Sequence, residues 1–141
     1  MKNLLYIGII FLIILGCASP KPTSGKAFSK EKKPVLKDTV RIANDELEYE
    51  IIIFDPGFNS WFATNARPRN YYSQSYLEAR NQVWVIGWNN YARRGHRLFE
   101  MQIDYENNIN YGYEVNYMLF NYLTYFQLSN NIKLGSFAPR I

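Results

Sequence analysis

Apolar and polar positions divide this chain into three stretches of different character. Residues 4–15 are apolar throughout, residues 18–37 are almost wholly polar, and from residue 47 the two kinds recur with the periods of strands and helices. In this last stretch "LEYEIIIF" (47–54) places Leu47, Tyr49, Ile51 and Ile53 on one face and ends in a β-branched run, which predicts a strand. Asp55-Pro56-Gly57 should stop it, because proline cannot donate to a ladder and Asp55 can cap a turn whose first helical residue is proline. Residues 58–66 then read as a short helix or turn, ended by Arg67-Pro68.

The segment "SYLEARNQVWVIGWNNYARR" (75–94) opens with Ser75-x-x-Glu78, the spacing of a capping box, and Leu77, Trp84, Trp88 and Tyr91 recur on one helical stripe. Val83 to Ile86 favours a strand and Gly87 costs about 1 kcal/mol inside a helix. A short helix leading into a strand over 83–88 therefore competes with the single helix adopted here. "FEMQI" (99–103) alternates cleanly and predicts a second strand able to pair with the first. In "EVNYMLFNYLTYFQLSNN" (114–131), Val115, Met118, Leu119, Tyr122 and Phe126 share a helical face, with Asn116, Asn121, Thr124 and Gln127 broadly opposite. Tyr117, Phe120 and Leu128 intrude on that polar side. A domain this small has difficulty burying a helix on all sides. Those three residues are therefore expected to form an exposed apolar patch, the candidate partner-binding surface. The elements sum to a small single α+β domain, with a two- or three-stranded sheet packed against two main helices.

The apolar run ahead of this domain is about a dozen residues long, whereas a spanning helix needs roughly 20. With Lys2 before it, the run suits the hydrophobic region of a signal peptide. It ends in Ile14-Leu15-Gly16-Cys17, which resembles a bacterial lipoprotein box. The order has a chemical reason: a small residue before the cut fits the peptidase, and the thiol accepts a diacylglyceryl group. Cys17 is thus the expected lipidation site, with residues 1–16 as signal peptide, 17–37 as lipidated cysteine and tether, and 38–141 as the domain. Two or more acyl chains anchor stably where one myristoyl chain does not. Cys17 is the sole cysteine, so the mature fold would rest on packing without disulfides.

The tether "ASPKPTSGKAFSKEKKPVLK" (18–37) cannot bury enough surface to offset its chain entropy and is expected to be disordered. As a flexible coil it would span about 25 Å. It carries six lysines against one glutamate, whereas residues 38–141 hold nine basic and eleven acidic side chains. The basic balance of the chain therefore belongs to the tether. A nucleic-acid-binding domain would carry its Lys and Arg on a folded face, so nucleic acid is not an expected partner. Anionic headgroups would attract such a tether. No acidic residue follows Cys17 in "ASPK"; resemblance to known sorting signals then implies the periplasmic face of an outer membrane.

Several segments, "FDPGFNSWF" (54–62), "YYSQSYLEARN" (71–81), "WNNYAR" (88–93), "IDYENNINYGYEVNY" (103–117) and "NYLTYF" (121–126), give the chain a family likeness. Over residues 49–134 it resembles an uncharacterised family of small Bacteroidota lipoproteins, a domain of unknown function. The likeness implies an envelope location and brings no activity. One departure is Gly87, where the resemblance would place a glutamate.

Candidate chemistry is sparse. One histidine, His96, lies among arginines in "ARRGHRLF", and the one cysteine is assigned to lipid, so neither a metal nor a cofactor is expected. Asp104 and Glu106, two apart, would share a strand face as glycosidase carboxylates do, and Glu78 near Asn81 could transfer a proton. A polar strand end and a helix cap explain the same residues. Aromatics make up 17% of the chain, and Asn-Tyr recurs at Asn70, Asn90, Asn110, Asn116 and Asn121 without fixed spacing. Composition bias and core packing explain much of this. Aromatic faces beside amides also suit protein interfaces or sugar rings. The expected function is a non-enzymatic, membrane-anchored interaction module that binds an envelope protein; a glycan- or peptidoglycan-binding module is the alternative.

Overall fold

Three α-helices and a two-stranded antiparallel sheet form from residues 39–141, the residues that the computed structural model describes. The residues expected to form a signal segment and tether, Cys17 among them, lie outside the described residues. Strand β1 (Thr39–Asn44) pairs with β2 (Tyr49–Phe54), Thr39 opposite Phe54 and Asn44 opposite Tyr49. The turn between them is set by Asn44, whose side-chain oxygen accepts from the backbone N–H groups of Glu46 and Leu47. Leu47 falls in this turn, so β2 begins two residues later than the alternation suggests. Val40 and Ile42 on β1 are fully buried, opposite Ile53 and Ile51 on β2.

Helix α1 (Phe58–Asn65) follows directly and ends before Arg67-Pro68, as its flanking residues require. Helix α2 (Gln74–Arg93) is continuous through Val83 to Trp88, so helical packing overrides the local strand propensity there. Its cap is Ser73, accepting from the Tyr76 N–H at 3.2 Å, in place of the capping box proposed on Ser75 and Glu78. Helix α3 (Gly112–Asn130) ends on Asn131 in the left-handed region.

The partner of β2 is β1, and residues 99–103 form no strand, contrary to the alternation of "FEMQI". They belong to an extended strap whose backbone groups bond to side chains. Trp88 Nε1 donates to the Met101 carbonyl at 2.8 Å. The Asn89 amide both accepts from the Ile103 N–H (2.8 Å) and donates to its carbonyl (2.9 Å). With these groups satisfied by α2, the strap needs no sheet.

Helix α3 is buried around most of its circumference, the polar residues included. Asn116, Asn121, Thr124 and Gln127 are all at most 3% exposed. The amides of Asn116, Asn121 and Gln127 donate to carbonyls four residues earlier on the same helix, at 2.8 to 3.0 Å. Turning inward in this way lets a small domain enclose a helix with polar flanks. The sheet, α1, α2, the strap and the C-terminal segment share the enclosure, with Phe58, Leu77, Trp84, Leu119 and Leu123 at its centre.

Candidate functional site

Because α3 is enclosed, Tyr117 and Phe120 do not form an exposed patch: they are 4% and 5% exposed, and only Leu128 reaches solvent, about two turns beyond Phe120. The two buried rings instead support a different surface, at the start of α2.

The connection from α1 to α2 is pinned to α3 at several points. Tyr117 donates its hydroxyl to the Arg67 carbonyl at 2.6 Å, and the Tyr113 hydroxyl accepts from the Asn70 N–H at 2.7 Å. Arg69 holds the Glu114 carboxylate at 2.8 and 3.0 Å, and its guanidinium lies 4.9 Å from the centre of the Tyr117 ring. Asn70 takes the positive φ that the turn needs, which asparagine tolerates. The connection thus has a fixed shape.

From this base Tyr71, Tyr72 and Tyr76 project in a ladder. Tyr72 stacks on Tyr76 with centroids 4.6 Å apart and planes within 10°, and Tyr71 packs edge-on against Tyr72 at 4.7 Å. Phe120 lies beneath, 5.4 Å from Tyr72 and 6.2 Å from Tyr76, and is itself stacked on Trp84. One helical turn after Tyr76, the Arg80 guanidinium sits 4.9 Å from the Tyr76 centroid and 3.6 Å from that of Phe137. Arg67 similarly lies over Tyr71 at 5.3 Å.

The segment carrying Phe137 is brought over α2 by backbone contact. A side chain at Gly87 would collide with the Leu134 carbonyl, and Trp84 donates to the Phe137 carbonyl at 3.1 Å. Gly87, a cost to helix propensity, is thus the point that admits this crossing.

The ladder remains open to solvent: Tyr71 is 59%, Tyr76 37% and Phe137 36% exposed. Among the described residues Arg80 has ring contacts but no hydrogen bond or ion pair, so its N–H donors stay available on a side chain already held in place. Burial and the neighbouring tyrosines push the Tyr72 hydroxyl above its ordinary range, so the phenol is neutral at physiological pH and the arginines carry the charge.

Behind the ladder is a cavity of about 10 Å³, bordered by Trp61, Tyr72, Tyr117, Phe120 and Thr124. It has room for about one water molecule, and the buried Thr124 hydroxyl beside it has no protein partner. A sugar ring does not fit there.

The carboxylates considered for catalysis are separated by function. Glu78 accepts from Gln74 Nε2 at 2.7 Å and faces the Asn116 amide. Asn116 in turn accepts from Tyr105 at 2.6 Å and from the buried Asn81. Burial, and secondly Glu78, push Tyr105 up to about 12. These contacts clamp the strap between α2 and α3. Asp104 and Glu106 are exposed on the strap, outside any strand. His96 packs its ring against Tyr91 and Phe99.

Fold and surface together define a small α+β domain that presents an arginine–tyrosine ladder. Over residues 4–139 the chain matches the family of unknown function DUF6146, and it belongs to that family. No curated protein and no solved structure matches it.

Proposed function

We propose that this chain is a lipid-anchored protein of the bacterial cell envelope, held through Cys17 at the periplasmic face of the outer membrane, and that it acts without catalysis by binding another envelope protein through the ladder. The lipobox-like ending at Cys17 and the lysine-rich segment after it support the anchoring. The family match starts at residue 4, so the apolar run and the tether are part of what the chain shares with its family. Among the described residues no helix is long and apolar enough to cross a membrane.

The observation that carries the binding reading is Arg80, stacked between two rings with its donors unengaged and bordered by exposed tyrosines. Tyrosine and arginine dominate interface hot spots, and a pre-positioned side chain loses less freedom on binding. A glycan-binding reading draws on Tyr71, whose ring is largely open to solvent. It is the weaker reading. Sugars stack on free ring faces, while Tyr76 and Phe137 already pack against Arg80.

Arg80→Glu and Tyr76→Ala test the site in gently crosslinked membranes. Each should reduce capture of a defined envelope protein at least tenfold, a larger effect than the roughly 1 kcal/mol of stability that loss of the ring contacts costs in the urea midpoint. Undiminished capture by both variants would remove the ladder as the contact. Sedimentation of the wild type with purified peptidoglycan, lost in Tyr71→Ala, would favour the glycan reading.

A further inference from the structure

The sheet is uneven along its length. By register, its outer face carries Thr39, Arg41 and Ala43 from β1 and Glu50, Ile52 and Phe54 from β2. Phe54 is 73% exposed at the end where the chain enters the domain, directly opposite Thr39, and Ile52, 50% exposed, follows it on the same face opposite Arg41. The other end is acidic: Asp45, Glu46 and Glu48 are exposed in the turn next to Glu50, and Arg41, which pairs with Asp45 and Glu50, offsets one of these four charges. Along six-residue strands the two ends lie about 17 Å apart. Immediately upstream of Thr39 runs the segment with six lysines that leads back to Cys17. The apolar end of the sheet therefore sits at the tether's entry, and the acidic tip is at the far end.

We infer that Phe54 and Ile52 dock this end of the sheet into the headgroup region of the anionic bilayer to which the chain is tethered, with the acidic turn directed away. The inference rests on the anchored reading above. Two side chains would not hold a free protein on a membrane. A flexible segment of about twenty residues would have a root-mean-square span of about 25 Å, so the second contact would form at high effective concentration. Attraction of the lysines and repulsion of the acidic turn by anionic headgroups select the same orientation. A second copy of the chain is a poorer occupant. A stable interface buries about 800 Å² on each partner, and this patch rests on two apolar side chains.

The test couples the mature chain through its Cys17 thiol to maleimide-bearing lipid in vesicles of phosphatidylethanolamine and phosphatidylglycerol. Hydroxyl-radical footprinting then reads side-chain access, with Leu47 in the acidic turn as the internal reference. Modification of Phe54 should fall several-fold on vesicles relative to the free chain, with Leu47 unchanged; Phe54→Ser should restore access at Ile52. Equal modification of Phe54 on and off the vesicles overturns the inference. So does protection in the free chain, whether it grows with protein concentration, which assigns the face to a second copy, or vanishes on deleting residues 18–37, which assigns it to the tether. The coupling supplies the anchor whatever the cell does to Cys17. Fatty-acid labelling of wild type against Cys17→Ser therefore decides the anchoring reading separately.

Discussion

A β-carbon at position 87 would overlap the Leu134 carbonyl oxygen, and the obstacle is backbone. Alanine at this position gains about 1 kcal/mol of helix propensity. The overlap forces residues 134–137 off α2 and takes with them the Trp84–Phe137 hydrogen bond and the cover over Arg80. Gly87→Ala should therefore lower stability by about 2 kcal/mol net, read from the urea midpoint. An unchanged or higher midpoint would show that the crossing is dispensable. From sequence, Gly87 is visible as a weak point in a helix and as a departure from the glutamate the resemblance implies. Its use depends on Leu134, and no local pattern connects residues so far apart. Tyr117 and Phe120 show the reverse case. Their importance was legible, but their side of the helix could be assigned only once the amides of Asn116, Asn121 and Gln127 were seen to bond to their own helix and turn inward.

At the scale of elements, α2 followed its hydrophobic period because Leu77, Trp84 and Trp88 form a stripe that only a helix can align. Periodicity failed at residues 99–103, where alternation over five positions equally suits an extended segment. What decides is where the backbone groups go. Asn89 supplies both partners for Ile103, so the strap is held by a side chain of α2. Asn89→Ala should cost about 2 kcal/mol, because it leaves two part-buried backbone groups without partners. Amide exchange at Ile103 should rise by a larger factor than exchange in β2. Uniform exchange across the domain would contradict this role for the strap. Strand β1 escaped notice because its buried positions are only Val40 and Ile42, too few to display a period.

For the molecule as a whole, buried phenols set the response to alkali. Burial is the main cause that pushes Tyr49, Tyr105 and Tyr122 up, Tyr105 to about 12, against about 10 in an unfolded chain. A raised acid binds its proton more tightly when folded. Its contribution is therefore complete below pH 10 and lost as pH rises through about 12. The urea midpoint should hold to about pH 10 and then fall, with phenolate absorbance at 295 nm rising together with unfolding; ordinary titration of all tyrosines in the folded state would refute it. The charge map belongs to this scale too. The separation between a lysine-rich tether and a mildly acidic domain is a property of composition, readable by counting. So are the lipobox-like ending at Cys17, the α+β class and the helical stripes, since each depends on residue types at short spacing. The ladder of Tyr71, Tyr72, Tyr76, Arg80 and Phe137 was legible only in part. Tyr76 and Arg80 lie one turn apart on α2 with Tyr72 just ahead of its cap, but Phe137 and the supporting Phe120 come from elsewhere in the chain. Tertiary structure alone decided which rings are exposed and that Arg80 meets the Phe137 ring, because exposure and pairing depend on segments distant in sequence meeting in space.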